Sequence, residues 1–370
     1  MVSEMSDVGR RIAQARERAR MTQQELGSRV SMERSAIAKI ESGRRGVGAL
    51  ELLRIAEAVG QRLEWLLRDA PDAVIAHRTR LDPDLDVAAI DTLLETLARH
   101  TEFVAEIVPA LTGNGIEQGE VPRSGKESEA LAATARVACG LTDVDAVRGI
   151  ADVVGRVGLI AFSAPLGPDT ADAASTLLNQ GAVAIVNSSH AVGRRRLALA
   201  HELGHYLVRD DYTVDWRIAD HNDSDRTEIL LDRFARAFLA PPEAFSRFWR
   251  DARRVWSVRT SAILIGSEFQ IDMATIARRL HELSLANGDE ISEVRGVRTK
   301  KADILEHGLL APTDLEGTTV PTVYAQAVLS LFEKQKLSAD RAIGLLLGTF
   351  DHEDLPTLPT RHKDEIWSLL

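Results

Sequence analysis

The stretch Leu197–Val208, "LALAHELGHYLV", sets two histidines and a glutamate into a run otherwise apolar enough for the core of any helix. A buried imidazole has to be hydrogen-bonded or ligated, so three ionisable groups within five positions are a costly way to fill a hydrophobic face. On an α-helix, positions i and i+4 are rotated by only about 40° from overlap, so His201 and His205 present their rings side by side. That is the geometry of a two-toothed metal clamp. Glu202 reaches the same cleft and can take a proton from a water, the logic behind H-E-x-x-H as a zinc-hydrolase signature. Gly204, between the two histidines, leaves room for backbone or a strand to approach.

A catalytic zinc generally takes three protein ligands and keeps a fourth position open, so a further donor is required. Downstream, "EILLDRFARAFLAP" places Glu228 and Asp232 four residues apart on one helical face. One carboxylate can ligate while the other accepts the free N–H of a ligating histidine, which fixes that ring's tautomer and orientation. The same two carboxylates also suit the solvated side of an amphipathic helix with Leu231, Phe234, Ala235 and Phe238 as its core. His190, His221 and His281 have no partner at ligand spacing and read as surface or satisfied histidines. Tyr206 and Tyr212 are candidate donors to an oxyanion.

The surrounding chain is that of a water-soluble protein: 370 residues, 45% hydrophobic and 27% charged, enough for two or three domains. A lone cysteine, Cys139, excludes an internal disulfide framework and a cysteine-rich zinc site, and suits a reducing cytoplasm as a buried, inert thiol. No stretch approaches the roughly 18 apolar residues of a membrane span, and the N-terminus has no signal core. A net charge of −10 argues against indiscriminate nucleic-acid binding by the whole chain. Charge is uneven, however: residues 1–70 carry 13 basic and 10 acidic groups, and the remainder 32 and 45.

Residues 1–70 read as a domain of short helices, Val8–Arg20, Thr22–Val30, Glu33–Ser42, Val47–Val59 and Arg62–Arg68, joined by breaks too brief to let them separate. Residues 71–126 read as a connector. It holds a proline- and aspartate-rich stretch, an amphipathic helix over Leu85–Leu111 suited to local packing or a dimer seam, and a glycine-rich linker at 112–129. A second domain spans 127–290, opening with helices (Ser128–Cys139, Val144–Arg156) and β-prone runs at "VGLIAF" and "GAVAIVN" before the histidine helix. Residues 291–370 form a helical C-terminal region, with helices at Val323–Gln335 and Ser338–Thr349 and no evident chemistry.

Two resemblances sharpen these expectations. "MTQQELGSRVSMERSAIAKIESGRR" has a capping box at Thr22 and Glu25, a tight turn at Ser31-Met32 and a second helix from near Glu33. It resembles the Cro and lambda-repressor-like (XRE) helix-turn-helix family over residues 8–67. That resemblance implies Arg34, Ser35 and Lys39 in the major groove and Gln23, Arg44 and Arg45 on phosphate. "RRRLALAHELGHYLV" followed by "TEILLDRFARAFLAPPEAF" resembles the ImmA/IrrE group of zinc metallopeptidases over roughly residues 127–285. This second resemblance implies His201, His205 and Glu228 as zinc ligands, Glu202 as general base, Asp232 as orienting carboxylate, and Arg196 paired with a buried carboxylate. Leu230 and Leu231 are less usual beside Glu228, and Ala240 stands where a methionine is common; these apolar departures leave the chemistry intact.

The expected architecture is multidomain: an all-α helix-turn-helix domain, an α+β zincin-like metallopeptidase domain, mostly helical with a small sheet, and a helical C-terminal region. The expected function is a cytoplasmic, DNA-binding transcription regulator with a zinc-dependent endopeptidase of conditional activity. Its expected partners are a double-stranded DNA operator, a helix-turn-helix repressor as protein substrate, and a second copy in a homodimer. The alternative is a transcription factor whose metallopeptidase-like domain is a non-catalytic ligand sensor or dimerisation module.

Overall fold

The structure, a computed structural model, describes residues 8–13, 15–16, 21–59, 66, 75–77, 87–112, 119–168, 170–208, 221–309 and 313–358. It divides into two compact units, residues 1–72 and 73–370.

In the first unit, residues 8–13 are helical and precede helices α1 (Gln23–Arg29), α2 (Arg34–Glu41) and α3 (Ala49–Ala58). Helix α1 begins where Thr22 accepts from the Glu25 amide while the Glu25 carboxylate accepts from the Thr22 amide, so two otherwise orphaned donors are satisfied reciprocally. The turn to α2 passes through Ser31 at φ 58°. Gly27 is what lets it close: a Cβ there would lie 2.5 Å from the Met32 carbonyl oxygen. Leu26, Val30, Ile37, Ile40, Leu52 and Ile55 form the core of this unit. The helix expected at Arg62–Arg68 falls, except for Leu66, outside the described residues.

The second unit is built on a sheet of β1 (Ile75–His77), β2 (Leu159–Ala164), β3 (Ala173–Leu177) and β4 (Ala182–Asn187) in the order β1-β3-β4-β2. Strand β2 is parallel to β4, which is antiparallel to β3, with Ser175 opposite Ala184. Strand β1 lies antiparallel to β3, with Ala76 opposite Ser175. Because both faces are buried, β2 and β4 read as continuous apolar runs rather than alternating ones. Strand geometry still sends alternate residues to opposite faces. Ala161, Ala173, Ala182 and Ala184, with Leu159 and Val186, line one face, mostly small, whereas Ile160, Phe162, Val183 and Ile185, with Ala174, line the other, mostly large.

The large-residue face is covered by α4 (Val87–Ile107), followed along the chain by α5 (Gly125–Ala138) and α6 (Ile150–Gly155), which belong to the opposite layer. Over the small-residue face lie α7 (Val192–Val208) and α8 (His221–Leu239), backed by α9 (Pro242–Val255), α10 (Val258–Phe269), α11 (Met273–Glu282) and α12 (Gly288–Gly296). After α13 (Lys301–His307), helices α14 (Thr322–Glu333) and α15 (Ala339–Leu345) return to the large-residue face. Among the described residues, no helix is long and apolar enough to cross a membrane.

This packing redraws the organisation expected from sequence. Ile90, Leu94, Leu97, Val104 and Leu111, the stripe with two possible uses, are buried against the sheet beside Tyr324, Val328 and Leu331. The connector helix and the C-terminal region therefore share one core with the strands between them. Residues 113–118 of the glycine-rich linker lie outside the described residues. Its remainder is structured: the Gly119 amide donates to the Leu207 carbonyl, and Ser124 caps α5. Cys139 is buried, and burial pushes its thiol up to about 12, as suits an inert side chain.

The C-terminal region also reaches the histidine helix. Arg196, on the first turns of α7, is wholly buried and pairs with Asp314, while donating to the carbonyls of Val147 and Gln270. Arg195 donates to the Asp314 carbonyl. Burial lowers the Arg196 pKa and the Asp314 carboxylate opposes that shift as the counter-ion of the buried guanidinium. Asp314→Ala leaves this charge buried without its counter-ion, a change that costs about 3–5 kcal/mol. Urea unfolding of this variant should show a lower midpoint at unchanged slope, and Asp314→Asn, which keeps an acceptor, should lose less.

Candidate metal centre

Every residue of α7 from Arg195 to Val208 is buried, so the polar groups of the motif have no access to bulk water to offset desolvation. They are satisfied on two sides. His201 and His205 face α8, and Glu202 faces strand β3.

The helix pair α7–α8 closes at Gly204. A Cβ there would lie 3.0 Å from Phe234 Cδ1 and 3.2 Å from Leu231 Cδ2, so it is side chains of the facing helix, and not backbone or a strand, that crowd this position. With the helices this close, His201, His205 and Glu228 each offer a ligand atom within 4.8 Å of the others. His201 Nε2 lies 3.0 Å from His205 Nε2 and 3.0 Å from Glu228 Oε2, and His205 Nε2 lies 3.4 Å from Glu228 Oε1. A tetrahedron with metal–nitrogen bonds of about 2.0–2.1 Å has edges of about 3.3 Å. The two imidazole nitrogens thus stand near such an edge from one another and each from one oxygen of Glu228, His201 from Oε2 and His205 from Oε1.

Asp232, one turn beyond Glu228, lies 3.0 Å from His201 Nδ1. With the carboxylate accepting from Nδ1–H, the lone pair of a neutral His201 falls on Nε2, toward the cluster. The Arg236 guanidinium stands 4.0 Å from Asp232 and is itself held by Glu282 at 2.7 Å. Glu228 feels two opposing effects: burial works to raise its pKa, but hydrogen bonding from His201 and then His205 prevails and holds it below the usual carboxylate range. Those hydrogen bonds need protons on the imidazole nitrogens that face Glu228, and a metal would take the place of those protons. Its side chain is 46% exposed, so the cluster opens toward solvent on the Glu228 side.

Glu202 is wholly buried. Its Oε2 accepts from Ser175 Oγ at 2.5 Å, whereas Oε1 is buried with no hydrogen-bond partner among the described residues. A buried carboxylate oxygen left unsatisfied on the helix that bears the two imidazoles suits a site that holds a metal and a water. The residues present fit a divalent metal of the zinc type.

Other candidates lie elsewhere. Arg196 touches neither histidine and is committed to Asp314. Tyr206 donates to the Val157 carbonyl at 2.9 Å, and Tyr212 falls outside the described residues. His190 lies 3.2 Å from Asp172, which also binds Arg194. Ser175 and Asp314 escaped the sequence reading. Ser175 carries only a weak signal, a hydroxyl in the run "AASTL", and Asp314 carries none.

In the first unit, Arg34, Ser35, Lys39 and Arg44 are exposed, and the three basic residues have no ion pair among the described residues. Gln23 donates to Glu41, which Arg16 also binds at 2.6 Å, and Arg45 pairs with Glu51 at 2.6 Å.

Comparison with known proteins matches these two units separately. Residues 9–70 match the family described as helix-turn-helix domain, and residues 160–281 match the family described as IrrE N-terminal-like domain. No curated protein is significantly similar in sequence. Among solved structures, a Mycobacterium tuberculosis transcriptional regulator shares 19% identity over 50% of this chain and 51% of its own, with a TM-score of 0.31. This chain thus spans about half the length of that structure. ComR from Streptococcus suis shares 11% identity over 93% of this chain and 88% of its own, with a TM-score of 0.17. The chain thus joins a segment similar to a helix-turn-helix domain to one similar to an IrrE N-terminal-like domain.

Proposed function

We propose that this protein is a DNA-binding regulator carrying a zinc-dependent endopeptidase site that cuts another regulatory protein. The observation that carries the reading is the convergence of His201, His205 and Glu228 at a helix that also bears a buried carboxylate, Glu202, with one oxygen unengaged among the described residues. Zinc, when bound by these three residues, supplies the Lewis acidity that makes a water nucleophilic near neutral pH. Asp232 orients His201. Glu202 takes a proton from the attacking water on Oε1 and passes it to the leaving nitrogen. A helix-turn-helix repressor is the substrate class we favour, because a chain that itself reads DNA acts on the same regulatory circuit. The DNA contacts in this reading are Arg34, Ser35 and Lys39 on base edges, with Gln23, Arg44 and Arg45 on phosphate, as a dimer on two half-sites. Arg44 is the freest of the phosphate group; Gln23 and Arg45 first exchange their Glu41 and Glu51 partners.

Metal analysis tests the centre. The purified protein should carry about one zinc per chain, and His205→Ala or Glu228→Ala should lose it, since two remaining ligands hold the ion too weakly. Glu202→Gln should keep it. Stoichiometric zinc in either ligand variant overturns the assignment.

Proteolysis is tested in cells by comparing wild type with Glu202→Gln under stress. A protein cut by the wild type should persist intact with the variant, whose DNA binding is unchanged. Identical proteomes leave a metal-binding sensor instead.

On DNA, Arg34→Ala should relax base preference at one position of the site by about 1–3 kcal/mol, read as a narrowed gap between specific and mismatched duplexes. Arg44→Ala should weaken all sequences alike and flatten the salt dependence by about one unit of slope. Equal loss of preference in both variants contradicts these roles.

A further inference from the structure

We infer that Ser175 is the positioning residue for Glu202: from β3 it holds one carboxylate oxygen and so determines which one faces the reacting water. This rests on the peptidase reading above. Its physical basis is the layer between α7 and the sheet. Ala161, Ala173, Ala182 and Ala184 line this face, and their small side chains let α7 lie close to the strands. A hydroxyl among alanines is disfavoured unless it finds a buried partner. Ser175 is 5% exposed and donates to Glu202 Oε2 at 2.5 Å, within the range of short O–H···O⁻ bonds.

Glu202 gains as much from the contact as Ser175 does. A carboxylate with one donor on one oxygen cannot rotate freely about its last bond. Among the described residues the serine is the one donor recorded on it, and Oε1 stays unengaged. Strand register fixes the donor in turn, because Ser175 stands opposite Ala184 on one side and Ala76 on the other, in the central part of the sheet. The base is thus aimed by a strand, while the metal ligands are aimed by a helix pair. An alanine at 175 fits the space and leaves both carboxylate oxygens without a donor.

The test uses the full chain loaded with cobalt(II) as a spectroscopic stand-in for zinc, titrated with acetohydroxamate, whose hydroxyl and N–H groups donate to a carboxylate beside the metal. Ser175→Ala should bind cobalt as tightly as the wild type but acetohydroxamate about tenfold more weakly, read from the visible spectrum. Ser175→Thr, which restores a hydroxyl, should recover most of the loss. In a Glu202→Gln background, Ser175→Ala should have no further effect, because the serine acts through Glu202. An equal loss in both backgrounds, or no loss in either, overturns the assignment to Ser175. A loss of cobalt affinity in Ser175→Ala, with threonine unable to restore hydroxamate binding, also overturns it and leaves a purely structural hydroxyl. A wild-type chain that takes up no cobalt overturns the metal-centre reading itself, and Ser175 then has no base to aim.

Discussion

A helix buried from Arg195 to Val208 that nevertheless carries two imidazoles, a carboxylate and two guanidinium groups has to give each a partner out of contact with bulk water. That constraint organises the second unit. The polar groups on α7 draw three elements to it: the histidines meet Asp232 and Glu228 of α8, Glu202 meets Ser175 of β3, and the arginines meet Asp314 in the chain beyond α13. The apolar positions between them pack against the same elements, so hydrophobic burial and polar satisfaction demand the same arrangement. Breaking one of the polar contacts costs more than the contact is worth in isolation, because the remaining group stays buried.

Close approach is achieved with small residues. Gly204 admits Phe234 and Leu231, and alanines on the sheet admit α7, so that Glu202 and the two histidines reach partners on opposite sides of one helix. The division separates two tasks. The proposed metal ligands and Asp232 lie on a helix pair, where i, i+4 spacing repeats the donor geometry on each side. The proposed base, Glu202, is held by the sheet.

The DNA-binding unit obeys the same economy on a smaller scale. Its turn closes on Gly27, its first helix is capped by a reciprocal pair, and the basic side chains of α2 remain outside the core. Glu41, which receives both Arg16 and Gln23, ties the start of α1 to the end of α2. The groups left exposed and without an ion pair among the described residues, Arg34, Lys39 and Arg44, are those available to an anionic partner.

Local rules were sufficient wherever both halves of a feature lie within one or two turns of chain. The capping box at Thr22 and Glu25, the turn at Ser31-Met32, the pairing of His201 with His205 and of Glu228 with Asp232, and the strands at "VGLIAF" and "GAVAIVN" were all legible for that reason. The meeting of those two pairs was legible only through resemblance, since spacing alone left Glu228 and Asp232 equally suited to solvent. Tertiary structure decided the rest. It buried Ile90, Leu94, Leu97, Val104 and Leu111 on the sheet, brought the C-terminal helices onto that same face, gave Arg196 to Asp314, and set Ser175 against Glu202. An amphipathic stripe encodes that a face must be covered but not by what, and a buried charge encodes that it needs a partner but not which one. Both choices are made by segments far apart in sequence, when a shared core brings them together.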